Sequence, residues 1–130
     1  MRCDAVLRGR RFVLYTLRRD TGKCPVQEFI AGLQERDKKR LMALLEHTKD
    51  NGPPKNREKC RKIATADGLF EFKSYQDRVI WFYDGNERDG RGRIVMTHGF
   101  CKKDDRMPLR EQRQAEQMRA EFLEDRERWR

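Results

Sequence analysis

The sequence predicts an α+β fold: two N-terminal helices packed on a small, mainly antiparallel sheet of about four strands, with a helix closing the chain. Three observations predict it. Strand-like and helix-like segments are segregated along the chain instead of alternating regularly. The three clearest strands follow one another through connections too short for parallel crossovers. The length, 130 residues, fits one domain (1–130) able to bury a core without disulfide or metal staples.

"RFVLYTL" (11–17) is rich in β-branched and aromatic residues and reads as the first strand. After the turn "DTGK", Pro25 stands where a helix starts, and Val26, Phe29, Ile30 and Leu33 follow the i, i+3, i+4, i+7 rule of one apolar face. A second helix carries Leu41, Leu44, Leu45 and Thr48 on its stripe and stops at "NGPP". Arg36, Lys38, Lys39, Arg40 and Lys49 fall on its outer, solvated face. "KNREKCRK" (55–62) reads as a basic connection. The strands "LFEFKS" (69–74), "RVIWFYD" (78–84) and "RIVMTHGF" (93–100) then form a meander, joined by the tight "YQD" and the Gly-rich "GNERDGRG". Pro108 opens the last helix, whose apolar positions Leu109, Ala115, Met118, Phe122 and Trp129 are loosely spaced. The two N-terminal helices are expected to cover one sheet face and leave the other partly open.

Charged residues make up 41% of the chain against 36% apolar, so the surface is densely charged around a small core. Lys and Arg number 31 against 22 Asp and Glu, a formal charge of +9 that suits a polyanionic partner. Cys3, Cys24, Cys60 and Cys101 form no C-x-x-C pair, and with only His47 and His98 beside them no zinc pattern arises. Reduced thiols, and apolar runs no longer than the order of "LMALL", point to a cytoplasmic protein without a membrane partner. No metal or other cofactor is expected.

The chemistry gathers in the meander. Phe70 and Phe72 point to one side of their strand, Glu71 and Lys73 to the other. Arg78 stands just across the turn from Lys73. His98 lies at the end of the third strand, where Gly99 is expected to let the backbone turn, with Lys102 and Lys103 just beyond. Strands pairing in order bring these groups onto one concave surface, which suits RNA cleavage by transphosphorylation. A base deprotonates the ribose 2′-hydroxyl, cations steady the phosphorane, and an acid protonates the leaving 5′-oxygen. Plainer roles compete: a Glu71–Lys73 surface ion pair worth about 0–1 kcal/mol, a hairpin-capping Arg78, a structural His98, solvated Lys102 and Lys103. The aromatic residues read chiefly as core, with Tyr75 or Phe100 as alternatives for stacking on a splayed base.

Taken together, "NGPPKNREKCRKI", "GLFEFKS", "RVIWFYDGN" and "RIVMTHGFCKKDDRMPLREQRQAE" resemble the RelE/ParE toxin superfamily, in particular its phage-derived HigB-like branch. The likeness runs from about residue 12 to 122. It implies a small α+β, RelE-like toxin that cuts messenger RNA, commonly on the ribosome, and a cognate helix-turn-helix antitoxin. By position it makes Lys73, Arg78, Lys102 and Lys103 the groups that hold RNA and neutralise phosphate. Arg93, at the start of the third strand, joins the RNA-binding set. Glu71 and His98 become the candidates for proton transfer, with base and acid unassigned. Many relatives carry a tyrosine or histidine near the end of the domain; "EDRERWR" has neither, and the loop "GNERDGRG" is longer than the resemblance leads one to expect. ParE-like topoisomerase inhibition, or RNA or ribosome binding without catalysis, are the competing functions.

Overall fold

A computed structural model describes residues 1–104 and 106–128. Two strands open the chain, β1 (Arg2–Arg8) and β2 (Phe12–Arg18), followed by helices α1 (Pro25–Ala31) and α2 (Glu35–Asn51). Then come β3 (Cys60–Lys62), β4 (Phe70–Ser74), β5 (Asp77–Asn86), β6 (Gly92–Cys101) and α3 (Leu109–Arg128). The strands form one sheet in the order β1-β2-β6-β5-β4-β3. Neighbours are antiparallel except β2 and β6, which run parallel with Leu14 opposite Ile94 and Tyr15 opposite Val95.

The expectation of about four mainly antiparallel strands is therefore wrong: the sheet has six strands and is mixed. Two strands were missed for physical reasons. β1 is an edge strand with no buried interior residue, so its charges at Arg2, Asp4 and Arg8 mask any alternation. β3 is three residues long and lies inside the supposed basic connection, with Cys60 opposite Phe72. The first helix thus follows a strand hairpin.

Both faces of the sheet are covered, which corrects the expectation of an open face. On one side Leu14, Phe72, Val79, Trp81, Ile94 and Met96 pack under Val26 of α1 and Leu41, Leu44 and Leu45 of α2. Phe70 and Phe72 both stack on Trp81, with ring centroids 4.6 and 5.0 Å apart. On the other side Leu17, Ile80, Phe82, Val95 and Phe100 meet Ala115, Met118 and Phe122 of α3. The loose spacing of the last helix is explained by Leu109, which is 55% exposed and stands outside the core. Trp129 lies outside the described residues.

Gly99 does not turn the chain. It lies within β6, opposite Val79, on the face that receives α1, and a Cβ there would overlap the Phe29 ring. Gly99→Ala is therefore expected to destabilise by about 1–3 kcal/mol through overpacking. Thermal denaturation should show a midpoint several degrees lower, and adding Phe29→Ala should restore part of it. An unchanged midpoint in Gly99→Ala would mean that the ring does not rest on this backbone.

Candidate nucleic-acid interface

The β4–β5 connection is two residues, Tyr75 and Gln76, and it fixes the register of the charged groups. Lys73 stands directly opposite Arg78, and Glu71 opposite Ile80, which is itself opposite His98. Arg61 of β3 is opposite Glu71 from the other side. Side chains of paired residues project to the same face. Arg61, Glu71, Lys73, Arg78 and His98 thus share one face at one end of the sheet.

Glu71 is the centre of this group. It is 1% exposed, with one carboxylate oxygen 3.5 Å from Arg61 Nε and 3.4 Å from Arg78 Nε. Lys73 and Lys102 also lie close enough to feel its charge. Arg78 is further held by donating from Nη1 to the backbone carbonyls of Tyr75 and Asp77. Burial, reinforced by Arg61 and Arg78, holds the Lys73 ammonium below its ordinary value. Lys102, 3% exposed, is lowered chiefly by burial as well, and its backbone N–H ties to the Gln76 carbonyl at 2.7 Å. Lys103 is exposed. One buried carboxylate thus pairs with two cations and lies within electrostatic reach of two more, whose joint charge exceeds its own.

At the end of the sheet Lys73 and Arg78 also border a cleft of about 930 Å³ whose other walls are α2, which covers the opposite face, the 54–59 segment and the β4–β5 turn. Its walls carry Arg40 and His47 of α2, then Lys55, Asn56, Glu58 and Lys59, then Tyr75. Five cations face one carboxylate there, Glu58. An arginine-bearing hollow at the far end of the sheet is different in kind. Its Arg11 donates to the Asn51 carbonyl, and Arg91 is bound to Asp89 and the Gly9 carbonyl. Among the described residues no group of three or more His, Cys, Asp and Glu side chains is placed to hold a metal ion, and no helix is long and apolar enough to cross a membrane.

Of the predicted site residues only Lys73 and Arg78 line the cleft; Glu71, Lys102 and Lys103 do not, and Arg93 and His98 are placed away from it. Arg93 sits at the opposite end of β6, roughly 30 Å from Lys102 at about 3.3 Å per residue. It packs over the Tyr15 ring and pairs with Asp84 at 3.7 Å. His98 shares the Glu71 face but lies beneath α3, 3% exposed, with Thr97 Oγ1 3.1 Å from Nδ1 and Glu111 Oε1 3.5 Å from Nε2. The second distance is too long for a hydrogen bond, and burial, with Arg19 nearby, pushes the imidazole pKa down to about 4.

That shift has a consequence for stability. The unfolded chain takes up this proton near the ordinary value of 6.5 and the folded chain only near 4. The contribution of neutral His98 is therefore complete above pH 6.5 and is lost as pH falls toward 4. The lost stability should approach about 3 kcal/mol at one unit of pKa per 1.36 kcal/mol. Urea unfolding at pH 4.5 and 7 should show a steeper acid loss in the wild type than in His98→Gln. Equal losses would mean that the ring titrates normally in the fold.

Arg40, His47, Lys55, Lys59 and Arg61 were not singled out from the sequence as site residues. For Arg40 and His47 a signal existed: with Ala43 and Leu44 they follow i, i+3, i+4, i+7 along one edge of α2. Which strand end that edge would face was not in the spacing.

Residues 28–120 match the sequence profile of the family described as Phage derived protein Gp49-like (DUF891). No curated protein matches the chain.

Proposed function

The chain belongs to the phage-derived Gp49-like family, within the RelE-like group of type II toxins, and on that premise we propose that it is a toxin that cuts messenger RNA. The single observation that carries this reading is the arrangement of Lys73 and Arg78 side by side at the mouth of a basic cleft, Arg78 held against the buried carboxylate of Glu71 and Lys73 donating from Nζ to the Arg57 carbonyl. Cations held in place before the substrate arrives stabilise a phosphorane without reorganisation during the reaction. The finer placement, in the HigB-like branch with a helix-turn-helix antitoxin as partner, rests on the "HGFCKK" strand end and the proline that follows.

The reaction is transphosphorylation. The ribose 2′-oxygen attacks phosphorus as its proton passes to a base. The P–O5′ bond breaks, the 5′-oxygen takes up a proton, and a 2′,3′-cyclic phosphate is left. Arg78 and Lys73 flank the phosphate, and no metal is needed in this route. Glu71 is walled in by its cations and acts through them as a positioning residue. His98 is covered by α3, so proton transfer falls to groups that line the cleft. Lys73 serves as a cation on the phosphate, and His47 contributes an imidazole, the side chain most often used for proton transfer. Lys102 adds buried charge within reach of Glu71 and Arg78, and Lys103 is exposed to solvent.

The test is cleavage of messenger on translating ribosomes in EDTA. Fragments ending in a 2′,3′-cyclic phosphate, with growth arrest on expression, are the expected result. Intact messenger combined with inhibited DNA supercoiling would overturn it in favour of topoisomerase inhibition. Intact messenger with RNA or ribosome binding but no arrest would leave a binding module.

A further inference from the structure

We propose that the β4–β5 turn is a nucleobase subsite, in which Tyr75 stacks one unpaired base of a single-stranded RNA while Arg40 clamps the ring from behind. The inference rests on the reading that the cleft takes RNA and adds what it grips besides phosphate.

Tyr75 is 71% exposed, unusual for so large an aromatic side chain beside a packed sheet. Its backbone is also strained. With φ +56° it is the one non-glycine position with positive φ among the described residues, and it occupies the first central position of a two-residue hairpin loop. Glycine is favoured there, and an aromatic residue at such a φ is an outlier that points to use. The ring is nonetheless held: the Arg40 guanidinium of α2 lies 4.1 Å from its centroid. One face is thereby capped by a cation, and the large exposure belongs to the rest of the ring.

The turn also sets the distance to phosphate. Tyr75 follows Lys73 by two residues and precedes Arg78 by three, and the Arg78 guanidinium donates to the Tyr75 carbonyl. A base on the ring therefore has its own or an adjacent phosphate beside the two cations, since neighbouring nucleotides are spaced on a similar scale. His47 and Asn56 line the same cleft and carry the donors and acceptors that read a base edge. Bases within a duplex present no free face, so the subsite selects single strands.

The experiment uses the whole chain and a short RNA with 2′-O-methyl sugars, which cannot be cleaved. Each base in turn is replaced by an abasic sugar, and binding is read by fluorescence anisotropy. One position should lose on the order of ten- to a hundredfold in affinity. That loss should persist in Tyr75→Phe and vanish in Tyr75→Leu. Tyr75→Gly should bind as weakly as Tyr75→Leu yet melt at a higher temperature than the wild type, a split that a merely structural tyrosine would not give. Binding that depends on Lys73 but shows no Tyr75-coupled position overturns the subsite and leaves the phosphate reading standing. Failure of the wild type to bind any of the oligonucleotides also overturns it. Conversely, a Tyr75-coupled position in a protein that leaves unmodified messenger intact retains the subsite and rejects the ribonuclease.

Discussion

Arg78→Ala should lower the rate of messenger cleavage by about a hundred- to a thousandfold, the loss typical of removing one preorganised donor to a developing oxyanion. Arg78 is the group most tightly specified by the fold. Its Nε faces Glu71 at 3.4 Å, its Nη1 is committed to two carbonyls of the turn, and it still lines the cleft. Arg78→Lys keeps the charge but loses the planar fork, so it should recover only part of the rate. Lys73→Ala, on the opposite strand, should also slow cleavage, and its effect should not add to that of Arg78→Ala because the pair acts on one phosphate. The measurement is single-turnover cleavage at saturating protein, with thermal melting to show that the variants remain folded. A folded Arg78→Ala that cuts at the wild-type rate would remove this residue from the mechanism and, with it, the main support for the proposed function.

Glu71→Ala should be the most damaging single substitution for stability, at about 3–5 kcal/mol, because it leaves buried cations without their counter-charge. Arg78 and Lys102 are both buried, and Arg61 faces the same carboxylate at 3.5 Å. On a chain of this size the thermal midpoint should fall by roughly 10–20 °C. Glu71→Gln should cost nearly as much despite its matching shape, since charge and not volume is what is missing. Two further measurements distinguish an anchor from a proton acceptor. Inorganic phosphate or sulfate should raise the melting temperature of Glu71→Gln more than that of the wild type, because an anion can occupy the uncompensated site. Cleavage by Glu71→Gln at low temperature should be slowed beyond its folded fraction but not abolished, since Arg78 loses the carboxylate that positions it. A variant that is fully stable but inactive would instead make Glu71 the base.

Much of this arrangement was legible in the sequence, element by element. Alternation in "LFEFKS" correctly set Phe70 and Phe72 against Glu71 and Lys73, because a strand's side chains change sides at every residue. Pro25 marked the start of α1, and "NGPP" marked the end of α2, where Gly52 adopts φ +87°. The short linkers of the meander forced β4, β5 and β6 into neighbouring antiparallel order. Leu33, assigned to the first helix by its spacing, lies past Ala31, where that helix ends. Its neighbour Gly32 supplies no side chain to continue the face.

Other features depended on contacts between distant segments. The parallel pairing of β2 with β6 joins residues some eighty positions apart, with Phe12 opposite Gly92, and nothing local to either strand encodes a partner. His98 reads as a polar group at a strand end, and only the docking of α3 turns it into a buried, neutral ring. The basic edge of α2 reads as solvated surface until α2 is laid across the sheet beside the β4–β5 turn.

The sequence by itself determined the α+β class, the order of the meander and the side on which each charge of β4 stands, because periodicity and linker length are local properties of the chain. Tertiary structure alone decided which of those charges meet a cleft, which are sealed under a helix, and that two more strands complete the sheet. Burial and electrostatic partnership are settled by what packs across the fold, and that depends on surfaces contributed by residues far away in the chain.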